Sequence, residues 1–277
     1  MILSTLSNMS KLQTQEAPGD YIEDGLLYCG KCHTKKQTII HLGGTEMKMP
    51  CMCECRTREV AEERKAMQQA ERNMYISNLR NEGIQDRSLR DKTFANDDGS
   101  NPRAYNTISR YCSKWEQIKE ENIGLLLWGD VGTGKTFYAC CVANHLIDKG
   151  VPVMVTNFNK IVNLLGKHFG DDKNRIIDDM NHYDLLVIDD LGVERQTEYM
   201  QEQVYNIIDG RYKSGKPIII TTNLTLEEIK NPTDMRLKRI YDRVQEMCVP
   251  VKFEGQSRRQ AEYSKKIDRM KALLKEE

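Results

Sequence analysis

The sequence has no excess of either charge: its 277 residues carry 41 Lys+Arg and 41 Asp+Glu. That balance excludes proteins that hold nucleic acid by bulk positive charge, so any nucleic-acid contact has to be local. Long apolar runs are also missing. The longest, around residues 123–128, is interrupted by Gly124 and falls far short of the roughly 18 residues needed to span a bilayer. The start, MILSTLSNMSK, has neither a basic n-region nor a long apolar stretch, which predicts no secretory signal, no membrane association and a cytoplasmic location. Aromatic residues are scarce at 7%, yet the apolar fraction of 39% is enough for a core, so disorder throughout is excluded. There is no internal repeat and no low-complexity tract.

Against these absences stand nine cysteines, unevenly placed. Cys29, Cys32, Cys51, Cys53 and Cys55 lie close together near the N-terminus, and the other four are scattered. In a reducing compartment clustered thiols favour metal over disulfides, whereas isolated cysteines behave as small apolar residues. Cys29-Gly30-Lys31-Cys32 is a C-x-x-C knuckle that lets two thiolates face one tetrahedral ion. Cys51-Met52-Cys53-Glu54-Cys55 offers three thiolates for the two remaining positions. A four-cysteine zinc site is expected, with Cys29, Cys32, Cys51 and Cys53 as ligands; Cys55 is an alternative, and His33 or His41 can substitute in principle. Some thirty residues cannot bury enough surface alone, so metal supplies the folding free energy of this module.

The length, at roughly 150 residues per domain, predicts two domains or one large one with an appendage. Residues 1–20 read as a flexible start. Residues 21–56 hold the cysteines and a hairpin, QTIIHL and EMKM around Gly43-Gly44. Residues 57–84 have no internal proline or glycine before Gly83 and only a thin apolar stripe, which predicts an exposed connecting helix. Residues 85–262 alternate helices with near-continuous apolar strands at 124–128, 151–156, 185–188 and 217–222. Strands apolar on both faces and separated by helices predict an α/β fold with a parallel sheet covered on both sides. Residues 263–277 continue a charged helix; from 257 onward it is basic and more often a solvated face than a phosphate track.

Gly129-Asp130-Val131-Gly132-Thr133-Gly134-Lys135-Thr136, with Phe137 directly after, matches G-x-x-x-x-G-K-[ST] between a strand and a helix. Glycines let the backbone wrap phosphates with its N–H groups pointing inward, at a helix N-terminus that favours anions. ATP is the expected nucleotide, with Lys135 on the β- and γ-phosphates and Thr136 on Mg²⁺. The strand LLVIDD ends in two carboxylates 54 residues after Lys135. Asp189 is the expected Mg²⁺-side residue and Asp190 the candidate general base. A third strand ends in Asn223, where ligands of open α/β sheets sit, so Asn223 can hydrogen-bond the attacking water or the γ-phosphate.

GDVGTGKT, LLVIDDLG, IIITTN and the late block RIYDRVQEMCVPVKFEGQSRR together resemble the AAA+ helicase loaders of the DnaC/DnaI type and the transposition helper IstB, over roughly residues 85–262. By that resemblance Asn223 corresponds to the sensor 1 residue and Arg243 to an arginine finger that reaches a neighbouring subunit's nucleotide. Arg259 corresponds to the sensor 2 arginine, with Arg258 as the adjacent alternative. The resemblance further implies assembly-dependent ATP hydrolysis, self-association, contact with single-stranded DNA, and docking of the N-terminal zinc module on a hexameric replicative helicase; Asp190 in place of the more common Glu shortens the reach to water and predicts slow turnover. A transposition helper ATPase and a nucleotide-switched adaptor are the alternatives.

Overall fold

The computed structural model describes residues 16–168, 170–192 and 197–274, so most of the expected flexible start lies outside the described residues. The chain forms two compact units that divide between Met74 and Tyr75.

The first unit is built from turns. β1 (Tyr21–Glu23) and β2 (Leu26–Tyr28) pair antiparallel around Asp24-Gly25. β3 (Gln37–Leu42) and β4 (Thr45–Pro50) form the expected hairpin, in register Ile40 with Met47 and Leu42 with Thr45. Gly43 and Gly44 take φ of +57° and +82°, the sign that a two-residue turn matching strand twist demands at both positions. Few apolar side chains are buried here, chiefly Leu26 and Leu27 beside Cys29 and Cys53. Two-stranded ribbons are marginal in water, so this unit needs a further source of stability. The connecting helix is α1 (Glu54–Gly83), and its last turns, with Leu79 buried, belong to the second unit.

In the second unit, α2 (Arg87–Arg90), a 3-10 turn at Phe94–Asn96, α3 (Pro102–Ser113) and α4 (Trp115–Glu120) precede β5 (Gly124–Gly129) and α5 (Lys135–Asp148). Then follow β6 (Val153–Asn157), α6 (Phe158–Leu165), α7 (Asp171–His182), β7 (Leu185–Leu191), α8 (Glu198–Ser214) and β8 (Ile218–Thr222). The chain closes with α9 (Leu226–Lys230), α10 (Met235–Met247), β9 (Cys248–Phe253) and α11 (Arg258–Leu273). The strands form one parallel sheet in the order β6-β7-β8-β5-β9.

Alternation along each strand feeds two separate cores. Leu125, Leu127, Leu185, Val187 and Ile219 pack on α3, α4 and α5, while Leu126, Leu186, Ile188, Ile218 and Ile220 pack on α6, α8 and α10. The four expected strands lie within three residues of their expected ends, the largest difference being β7, which runs on to Leu191, and β9 is an addition. It carries Pro250 and an exposed Lys252, features of an edge strand. At the opposite edge Ile84 makes a parallel bridge to Val155, and a Cβ on Gly83 would meet the Val153 carbonyl at 1.9 Å, so the chain lies directly against β6. Arg211, fully buried, ties the N-terminal ends of β7 and β8: it donates to the carbonyls of Tyr183 (2.9 Å), Asp184 (2.8 Å) and Pro217 (2.7 Å). Among the described residues no helix is long and apolar enough to cross a membrane.

Candidate functional site

The loop from Gly129 to Thr136 joins β5 to α5 at the C-terminal edge of the sheet, where open α/β folds place their ligands. Gly134 precedes the first turn of α5 with φ +102°, a conformation that turns successive N–H groups towards one point and is open to glycine. Lys135 is 5% exposed, and its Nζ donates to the carbonyls of Gly129 and Asp130, each at 2.7 Å. Burial lowers its pKa, while Asp190, Asp189 and Asp130 act to keep it charged. Thr133 closes the turn by donating to the Asp130 carbonyl at 2.8 Å.

β7 delivers its acids to the same place. Thr136 Oγ1 donates to Asp189 Oδ1 at 2.8 Å, and Thr221 Oγ1 donates to the same oxygen at 2.6 Å. Partial burial, together with the negative charge of Asp189, pushes the Asp190 carboxyl above its ordinary value, against the opposing pull of Lys135 and Arg259. A hydroxyl and a carboxylate in contact are a hard oxygen donor set, which fits Mg²⁺: that ion takes one or two protein oxygens and otherwise keeps water and phosphate oxygens. Asn223 stands exposed one residue past β8.

The start of α11 lies over the phosphate loop. The Arg258 backbone N–H donates to the Gly132 carbonyl at 2.9 Å, and a Cβ on Gly132 would meet Ser257 Oγ at 2.1 Å. The Arg258 side chain also lies over the loop, where a Cβ on Gly134 would meet its Cζ at 3.3 Å. It pairs with Asp98 (2.8 Å) and Asp97 (3.5 Å), donates to Ser100 Oγ (2.6 Å) and lies near the rings of Phe137 and Tyr138. Arg259 is close enough for its positive charge to act on Lys135 and Asp190. The clamp of Arg258 on residues 97–100 went unseen in the sequence, where NDDGSNP reads as a plain loop. Arg243 sits apart from this group, with its guanidinium 4.0 Å from the Tyr212 ring centre and paired with Asp209 (3.6 Å) and Glu246 (3.2 Å).

In the first unit the sulfurs of Cys29, Cys32, Cys53 and Cys55 lie within 4.8 Å of one another. This corrects the expected set: Cys55 takes the place given to Cys51, whose Sγ instead lies 3.4 Å from the Lys35 carbonyl. The reason is helical. Because α1 begins at Glu54, Cys53 and Cys55 flank its first residue, and the Cys55 Sγ lies 3.3 Å from Cys29 and 3.4 Å from both Cys32 and Cys53. Neither histidine joins them: His33 packs on Tyr21 and His41 faces Glu46. Four thiols at this spacing fit zinc, since tetrahedral bonds of about 2.3 Å separate the sulfurs by about 3.8 Å. The protons are unevenly held. Hydrogen bonding to the other sulfurs pushes Cys55 up to about 12, while Thr34 and the backbone near Cys55 bring Cys32 down to about 5.

A model of the IstB-like ATP binding protein family matches residues 54–266. The chain belongs to this family. Among curated proteins, the replicative helicase loader DnaC of Escherichia coli (strain K12) is 31% identical over 142 residues, 50% of this chain and 57% of DnaC. The replicative helicase loader DnaI of Bacillus subtilis (strain 168) is 22% identical over 220 residues, 74% of this chain and 68% of DnaI. The chain thus spans little more than half of DnaC. The crystal structure of DnaI superposes with a TM-score of 0.52 at 23% identity, covering 63% of this chain and 94% of that one. The likeness extends to the fold: an AAA+ P-loop core whose parallel sheet is flanked by helices, here with a small four-cysteine module ahead of it.

Proposed function

We propose that this chain is an ATP-dependent loader that docks on a hexameric replicative DNA helicase and delivers it to single-stranded DNA. The observation that carries the reading is the contact of Thr136 with Asp189 at 2.8 Å, which joins the phosphate loop to the acidic strand inside an IstB-family core. Its resemblance to two proteins named as helicase loaders supports the choice among that family's functions.

Within the site, N–H groups of residues 129–136 and Lys135 hold the phosphates of ATP, and Thr136 with Asp189 holds Mg²⁺. The ion supplies charge neutralisation to the transferring phosphoryl group. Asp190 orients the attacking water and takes its proton, and Asn223 fixes that water from β8. Arg259 neutralises phosphate charge in its own subunit, while Arg243 serves the nucleotide of a neighbouring copy. Hydrolysis then depends on self-association, and a monomer turns over slowly. Zinc held by Cys29, Cys32, Cys53 and Cys55 keeps the first unit folded as the helicase-docking module.

The test is co-purification with the replicative helicase of the source organism, with ATP and with ADP, using intact and Cys29→Ser protein. ATP-dependent retention that the variant loses is expected. Failure of either form to retain helicase under any nucleotide condition overturns the loader reading.

A further inference from the structure

β7 runs in register with β8 through Val187 with Ile219 and Ile188 with Ile220, and then slips: Leu191 pairs with Thr222. Two residues of β7, Asp189 and Asp190, therefore stand opposite one residue of β8, Thr221. This is a β-bulge, a device that bends a strand and re-aims its side chains. It matters because consecutive side chains of a regular strand point to opposite faces. An unbulged β7 would send one of the two carboxylates away from the phosphate loop, whereas both act on Lys135. The rearrangement puts Asp190 in the left-handed region, φ +61°, which a non-glycine residue holds only when its surroundings compensate the strain.

The compensation comes from one hydroxyl. The Asp190 backbone N–H donates to Thr221 Oγ1 at 2.9 Å, in place of a lost ladder bond. The same Oγ1 donates to Asp189 Oδ1 at 2.6 Å. Thr221 is fully buried, so water cannot substitute. Its neighbour Thr222 closes the far side of the bulge by donating to the Leu191 carbonyl at 2.8 Å.

We propose that Thr221 is a positioning residue that pins the bulge and so aims two adjacent carboxylates at one bound nucleotide. The inference rests on the nucleotide-hydrolysis reading given above. Thr221→Val keeps the shape and removes the hydroxyl; Thr221→Ser restores it. The readouts are Mg²⁺-dependent binding of a fluorescent ATP analogue, steady-state ATP turnover by the assembled protein, and thermal melting.

Thr221→Val is expected to lower kcat by about 10- to 100-fold with little change in the KM for ATP, the factor for losing the charge-assisted hydrogen bond to Asp189 together with the backbone bond that aims Asp190. It should also raise the Mg²⁺ midpoint for analogue binding several-fold, an effect that a merely structural role would not produce. Thr221→Ser should stay near wild type in both. If the valine variant melts too early to assay, Thr221→Ala is judged by the same two readouts. A valine or alanine variant with wild-type turnover and Mg²⁺ midpoint overturns the proposal, as does a serine variant as impaired as valine. Wild-type protein with no Mg²⁺-dependent nucleotide binding instead overturns the hydrolysis reading itself, and this inference with it.

Discussion

Cys51 and Cys55 are four residues apart and chemically identical, and the structure gives them opposite fates. Only Cys55 lies with its sulfur 3.3–3.4 Å from three other thiols. Structural zinc contributes roughly 10–16 kcal/mol of apparent binding free energy in small modules; shared evenly over four thiolates this is about 2.5–4 kcal/mol each. Cys55→Ser should therefore weaken zinc binding by about 100- to 1000-fold. Because the first unit buries so little apolar surface, the loss should also appear as unfolding of that unit at limiting zinc. Cys51→Ser should leave affinity within a few-fold of wild type, since its sulfur lies against the Lys35 carbonyl and outside the four-thiol group. Competition against a chromophoric chelator at fixed pH measures both variants, and the zinc content of purified protein gives the stoichiometry. A Cys51→Ser protein that loses zinc as Cys55→Ser does, or a Cys55→Ser protein that binds as wild type, would refute the assignment.

Asp190→Asn should retain Mg²⁺-dependent ATP binding and lose at least about 100-fold in turnover, as expected for a general base; unchanged turnover in a single-cycle assay would remove Asp190 from that role. Arg258→Ala breaks pairs to Asp97 and Asp98 at a side chain only 19% exposed, and should cost about 1–3 kcal/mol by urea unfolding while loosening α11 from the phosphate loop. No change in either unfolding or proteolysis near residue 258 would contradict that. Arg211→Met leaves three carbonyls at the ends of β7 and β8 without their donor and should cost about 3–5 kcal/mol; a loss below about 1 kcal/mol would mean that Arg211 is merely tolerated there.

The parts legible in the sequence are those where one physical requirement dominates. Strands β5, β7 and β8 read directly because both of their faces are buried, β6 because Val153 and Val155 are buried in a short apolar run, and the phosphate loop because its glycines and Lys135 answer to one ligand. β9 hides because an edge strand tolerates Pro250 and exposes Lys252, which makes it look like a loop. The choice among Cys51, Cys53 and Cys55 turns on where a helix begins, and spacing alone accommodates any two of them. Arg258 and Arg259 differ only in register on α11, which is set by loop 97–100 some 160 residues earlier in the chain. Thr221 looks like an ordinary β-branched strand former; its second use depends on a register slip that leaves no compositional trace.

The edges of the sheet constrain how copies of this protein can meet. Along β6 the chain at Gly83 and Ile84 already lies against the outer backbone, and on β9 Pro250 has no N–H to offer. Strand-to-strand growth between copies is thereby discouraged at both ends. Any contact between copies then falls to side chains on helices and loops, which form and release without a backbone ladder being broken.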